Sequence, residues 1–170
     1  MNLEQLLRDV PDFPKPGILF KDISPLLASP EGMRESIKQL AALDFGKVDK
    51  VAGIESRGFL FGTPLAMELG IGFVPIRKPG KLPWKTKSVE YELEYGTDTV
   101  EIHEDAVAAG ERVLIVDDLL ATGGTMAASC DLVEAIGGEV AGCAFLVELA
   151  FLPGREKLAN RQIGSLISIQ

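Results

Sequence analysis

Val113-Leu114-Ile115-Val116-Asp117-Asp118-Leu119-Leu120-Ala121-Thr122-Gly123-Gly124-Thr125-Met126 contains, in order, a strand, an acidic pair, a small turn and the start of a helix. Four apolar residues open it, and three of them are β-branched, the habit of a central parallel strand buried on both faces. Asp117 and Asp118 then stand at the carboxyl end of that strand, where open α/β sheets bind ligands. Beyond the turn, Met126, Cys130 and Val133 differ by four and three, so they share one helical face.

The turn has the chemistry of an anion seat. Gly123 and Gly124 let backbone approach an oxyanion closely. Free N–H groups at the helix start, flanked by the Thr122 and Thr125 hydroxyls, would receive a phosphate. A sugar attached to that phosphate would lie over Asp117 and Asp118, whose oxygens suit ribose hydroxyls and could help hold a hydrated Mg²⁺. Neither G-x-x-x-x-G-K-[ST] nor G-x-G-x-x-G occurs, which excludes a P-loop and a dinucleotide fingerprint. Taken alone, an acidic pair before a glycine turn also fits an ordinary solvated βα connection.

A chain of 170 residues, 46% of them hydrophobic, can bury one proper core. The expectation is a single α/β domain over residues 1–170, a mainly parallel sheet flanked by helices with a small N-terminal hood. A net charge of −8 argues against nucleic-acid and anionic-membrane partners. The amino terminus lacks the basic and apolar regions of a signal peptide, and no apolar run is long enough for a membrane span. Cys130 and Cys143 are placed as buried small hydrophobes, forming neither a disulfide scaffold nor a zinc set, so a cytoplasmic location is expected.

Along the chain, Leu3, Leu6, Leu7 and Val10 predict an amphipathic helix that Pro11 stops. A proline-rich segment carries Ile18-Leu19-Phe20, either a loop tucked on the core or an aromatic platform for a base. Ser29-Pro30 predicts a capped helix to about Leu43, and Asp44 to Lys50 a polar turn. Val48 to Ile54 predicts a strand ending on Glu55 and Arg57. A helix to Leu69 and a strand over 72–76 follow. From Arg77 to Lys87 every charge is basic, and from Ser88 to Asp105 every charge is acidic. The basic stretch is either a solvated loop balancing charge or a loop closing on a polyphosphate. Trp84 within it suits either a lid anchor or a dimer contact. His103 reads as an exposed strand residue on 97–103. Strands over 140–149 and 163–169, the latter at an edge, complete the reading, with a turn at Pro153-Gly154-Arg155.

The fourteen residues resemble the phosphoribosyl-pyrophosphate (PRPP) motif of type I phosphoribosyltransferases, in the form used by the adenine-specific branch. Asp12-Phe13-Pro14, Phe20-Lys21-Asp22-Ile23-Ser24-Pro25, Gly53-Ile54-Glu55-Ser56-Arg57-Gly58-Phe59, Arg77-Lys78-Pro79-Gly80-Lys81-Leu82-Pro83 and Glu94-Tyr95-Gly96 extend the resemblance in order. It implies that fold, and the conversion of adenine and PRPP to AMP and pyrophosphate with Mg²⁺ as cofactor. The 5′-phosphate is expected on Ala121, Thr122, Gly123, Gly124 and Thr125, and the ribose on Asp117 and Asp118. Pyrophosphate is expected at Glu55, Ser56, Arg57, Arg77, Lys78 and Lys81, and adenine at Leu19, Phe20 and Lys21. Glu94 and Arg57 are the expected catalytic residues, Glu94 handling the proton on the purine. Arg77 resembles an arginine given across a dimer interface, so a homodimer is expected, and Glu55-Ser56 matches a peptide that the family often holds cis. A phosphoribosyltransferase for another base, and a regulator that keeps a PRPP site as a sensor, are the alternatives.

Overall fold

The computed structural model describes residues 1–93 and 95–170. Its framework is a five-stranded parallel sheet: β3 (Lys50–Ile54), β4 (Gly72–Ile76), β7 (Arg112–Leu120), β8 (Glu139–Leu149) and β9 (Ile163–Ile169), in the order β4-β3-β7-β8-β9. Two antiparallel pairs lie outside it: β1 (Arg8–Pro11) with β2 (Leu19–Asp22), and β5 (Thr86–Glu92) with β6 (Thr97–His103). The helices are α1 (Ser24–Leu27), α2 (Pro30–Ala41), α3 (Arg57–Leu69), α4 (Gly124–Ala135) and α5 (Gly154–Lys157). Among the described residues no helix is long and apolar enough to cross a membrane.

Alternation along β7 divides the core. Val113 and Ile115 belong to one buried cluster with α4 and the β6 residues Val100 and Ile102. Leu114 and Val116 belong to the other, with Ile37 and Leu40 of α2 and Phe61 and Leu65 of α3. A strand packed on both faces must be apolar at every position, which accounts for the unbroken run before Asp117. Cys130 and Cys143 are buried and unbridged, with Sγ atoms 3.6 Å apart.

The sequence expectations hold for α2, where Ser29 Oγ accepts from the Gly32 N–H at 3.0 Å, and for α3, β4, β6 and the edge strand β9. Four details differ. The amino-terminal helix is absent: Leu3–Leu6 form one 3-10 turn, and Arg8–Pro11 pair with Leu19–Asp22 instead. Leu3 still packs in the core, so burial, not helical period, underlies the apolar spacing. β3 begins at Lys50, not Val48, where its ladder with Val113 begins, and Phe45 in the expected polar turn is buried. β7 runs on through the acidic pair, because Asp117 and Leu119 keep their pairing with Phe145 and Val147 of β8. Pro153-Gly154-Arg155 opens the short helix α5 and is more than a turn.

A tight joint lies where α3 meets β7. A Cβ on Gly58 would stand 2.8 Å from the Val116 carbonyl oxygen and 3.2 Å from Asp117 Oδ1. Gly58→Ala is therefore expected to destabilise the protein by about 1–3 kcal/mol through overpacking, read by chemical denaturation. Unchanged stability would show that α3 has slack against β7.

Candidate active site

β7 and α4 are joined by Ala121, Thr122 and Gly123. Gly123 takes φ +84°, a conformation that favours glycine, and no side chain caps α4 at this residue. The N–H groups of the first helical turn thus face a hollow of about 100 Å³, lined by Asp117, the 121–125 loop, Met126 and Phe145. Asp117 Oδ1 accepts the Asp118 N–H at 2.9 Å. Burial, and then the neighbouring Asp118 charge, push the Asp117 pKa well above the usual carboxylate range.

Asp118, 6% exposed, lines a crevice of about 130 Å³ with Phe20, Lys21, Ile23 and Arg57. Arg57, from the first turn of α3, donates Nε–H to Asp118 Oδ2 at 2.5 Å. Phe20 packs edge-on against Phe13, with centroids 5.1 Å apart. Lys21 Nζ reaches Asp9 Oδ1 at 2.5 Å. Leu19 is exposed and does not line this crevice. Among the described residues β2 pairs only with β1, which leaves its other backbone edge open there.

Glu55, at the end of β3, gathers the basic segment. Its carboxylate accepts the Lys78 N–H at 2.7 Å, Lys81 Nζ at 2.5 Å and Arg77 Nε at 3.3 Å. Burial would raise the Glu55 pKa, but these donors outweigh it and hold the carboxyl below its usual range. Arg77 also lies over the Phe59 ring, 5.9 Å from the centroid. The Glu55–Ser56 peptide is cis, as the sequence reading expected.

Lys78 turns the other way. Its Nζ bonds Asp98 and lies 3.2 Å from Tyr91 Oη, which in turn accepts from Thr125 Oγ1 at 3.1 Å. Burial opposes the Lys78 charge, and the bonds to Asp98 and Tyr91 more than offset it, raising its pKa. A chain of contacts thus links the basic segment, the β5–β6 hairpin and the anion loop. A wider cleft of about 690 Å³ opens beside that loop, lined by Tyr91, Thr122, Gly124, Thr125 and Lys157.

The expected residues therefore fall into three connected groups: 121–125 with Asp117; Phe20 and Lys21 with Arg57 and Asp118; and Arg77, Lys78 and Lys81 around Glu55. Glu94 lies outside the described residues. Tyr91, Asp98 and Lys157 are additions that the sequence reading missed. Tyr91 and Asp98 lie on an alternating acidic hairpin and carry no local motif. Lys157 follows a turn read only as a connection.

The raised pKa of Asp117 fixes the sign of a pH effect. Its ionisation is costlier in the folded protein than in the unfolded chain. The native state therefore loses stability as pH climbs from the unfolded value of about 3.9 through the folded one. Asp117→Asn keeps the acceptor for the Asp118 N–H but removes the charge. We expect it to melt higher than the parent protein at neutral pH, with the gap closing towards pH ~4. Equal melting temperatures throughout would show that the buried charge is not strained.

The profile of the phosphoribosyl transferase domain matches residues 22–161. The adenine phosphoribosyltransferase of Methylococcus capsulatus is 57% identical over 166 residues, spanning 97% of each chain. The crystal structure of the Thermoanaerobacter pseudethanolicus adenine phosphoribosyltransferase superposes with a TM-score of 0.95 at 59% identity, covering 98% of each chain. That of the Saccharomyces cerevisiae enzyme, complexed with adenine and an imino-altritol bisphosphate, gives 0.87 at 43% identity over 96% of this chain and 95% of that one. The five-stranded sheet with its flanking helices is the type I phosphoribosyltransferase fold, and the chain belongs to the adenine phosphoribosyltransferase family.

Proposed function

We propose that this protein transfers the 5-phosphoribosyl group of PRPP to adenine, giving AMP and pyrophosphate. The observation that carries this is a chain of contacts that runs from an uncapped helix start through Thr125 and Tyr91 to Lys78 and the cations around Glu55, beside an acid pair that Arg57 meets. The 5′-phosphate sits on Ala121 to Thr125, held by backbone N–H groups and the two threonine hydroxyls. The ribose hydroxyls are met by Asp117 and Asp118. The pyrophosphate meets Arg57, Arg77, Lys78 and Lys81, with the Glu55-Ser56 turn beneath it.

Each of these cations already has a carboxylate partner: Arg57 has Asp118, Lys78 has Asp98, and Arg77 and Lys81 have Glu55. Binding therefore exchanges one ion pair for another. The carboxylates of Asp118 and Glu55 are largely buried, but all four cations are a third or more exposed, so their outward donors are open to pyrophosphate. Among the described residues no three His, Cys, Asp or Glu side chains cluster as a metal site. Asp117 and Asp118 are oxygen donors that would suit a hydrated Mg²⁺. When bound, it neutralises charge on the leaving pyrophosphate.

Neutral adenine is a weak nucleophile at a hindered carbon. The C1′–oxygen bond to pyrophosphate therefore breaks early, and surrounding carboxylates stabilise the cationic sugar. Adenine N9 then bonds C1′, and Glu94 handles the purine proton. Phe20 offers its face to the base, and the open edge of β2 offers main-chain groups to the amine. We place the protein in the cytoplasm as a homodimer. The support is the pair of free thiols, and the likeness of Arg77 to an arginine shared between subunits.

Two measurements test this. Asp117→Asn with Asp118→Asn is expected to weaken PRPP binding by several kcal/mol in total, at about 1.5–3 kcal/mol per charged hydrogen bond; near-normal affinity would remove the pair from the site. In a panel of free bases with PRPP, with and without Mg²⁺, adenine should give AMP only with the metal. Hypoxanthine, guanine and orotate should be slower by orders of magnitude, because a carbonyl replaces the amine and leaves acceptors opposed. Comparable turnover of hypoxanthine would sink the adenine assignment.

A further inference from the structure

Glu148 is one of the few buried charged residues, 4% exposed, and the proposed reaction gives it nothing to do. Its register explains its place: on β8 it pairs with Leu120, the last residue of β7 before the anion loop. Its carboxylate accepts a two-pronged bond from Arg155, Nε at 2.5 Å and Nη2 at 2.8 Å, and a third from Ser165 Oγ at 2.7 Å. The hydrogen bonds from Arg155 hold the Glu148 pKa below its usual range. This clamp closes the excursion that leaves β8 and returns as α5.

What the clamp holds is backbone against backbone. A Cβ on Gly154 would stand 2.6 Å from the Ala121 carbonyl oxygen and 2.7 Å from Leu120 Cδ1. Reciprocally, a Cβ on Gly123 would stand 2.9 Å from the Gly154 carbonyl oxygen. The turn beginning α5 is thus the floor under residues 121–123, with no room for even a methyl group. Arg155 adjoins Gly154, so the angle at which Glu148 grips Arg155 sets the height of that floor.

We propose that Glu148 and Arg155 are positioning residues for the 5′-phosphate site, acting through Gly154 to fix the anion loop at the height where its N–H groups converge. The inference rests on the reading of residues 121–125 as the seat of the 5′-phosphate. It concerns the phosphate monoester alone: among the described residues no α5 residue lines the base crevice around Phe20 or hydrogen-bonds the cations around Glu55. A guanidinium is suited to the task because its planar fork fixes orientation as well as distance, which an ammonium cannot do.

The test measures dissociation constants for ribose 5-phosphate and pyrophosphate, KM for PRPP and for adenine, and the melting temperature. Arg155→Gln is expected to weaken ribose 5-phosphate and raise the PRPP KM by about ten- to a hundredfold, the scale of an ångström-sized misplacement. Pyrophosphate binding and the adenine KM should stay at parent values. Arg155→Lys should fall between, keeping charge without the fork, and Gly154→Ala should reproduce the glutamine variant. A folded Arg155→Gln protein that binds ribose 5-phosphate normally overturns the proposal. So does one that loses all ligands alike, in step with its melting temperature. Thr122→Ala combined with Thr125→Ala separates the two readings. If that variant keeps ribose 5-phosphate affinity, the phosphate seat itself is misplaced. If it loses affinity while Arg155→Gln does not, only the clamp fails.

Discussion

β7 is hydrogen-bonded on both edges, to β3 and to β8, and packed on both faces. A strand held this way has no freedom to slide or rotate without reversing the faces of its side chains. The continued pairing of Asp117 and Leu119 with β8 extends that rigidity through the acidic pair to the lip of the anion loop. Asp117 then opens on the hollow of the 121–125 loop, and Asp118 on the crevice containing Phe20 and Arg57. On the proposed reading, ribose lies between phosphate and base because two adjacent residues of one rigid strand serve different cavities.

That arrangement costs stability. A buried carboxylate beside a second one is a liability for the empty protein, visible in the raised pKa of Asp117. The surrounding chain limits it with a counter-charge, Arg57 on Asp118, and with a hydrogen bond from the Asp118 N–H to Asp117. Such strain persists at sites whose geometry is over-determined by their surroundings, and Gly58 against the Val116 carbonyl is part of that determination.

Much of this was legible in the sequence, where the signal was local. The apolar run 113–116 fixed a central strand, Ser29-Pro30 fixed a helix start, and the glycine turn with its threonines marked an anion loop. Apart from the short helix α5, read as a turn, the failures were non-local. Leu3, Leu6, Leu7 and Val10 carry a helical spacing, but residues 8–11 form a strand because Leu19–Asp22 offers them a partner. Glu55 meets Arg77 and Lys81 from 22 and 26 residues away, a grouping that the family resemblance implied and that spacing alone does not give. Tyr91 reaches Thr125 across 34 residues, and Gly154 meets Ala121 only because β8 returns beside β7. Spacing reveals faces of elements; it does not reveal which faces meet.

The charge balance carries the same lesson to binding. A net charge of −8 repels a polyphosphate at long range, yet repulsion between exposed charges fades over about a Debye length, ~8 Å at physiological salt. Within that distance the site presents the start of α4 and a set of cations, each held beside an acid. Those acids keep the cations from repelling one another while the site is empty, and they hold the side chains near where an anion would need them. An incoming phosphate thus meets donors already gathered, and the cost of ordering them is borne by the fold rather than by the ligand. Acidic residues inside an anion-binding site are then consistent with its purpose, provided that each stands opposite a cation it can release.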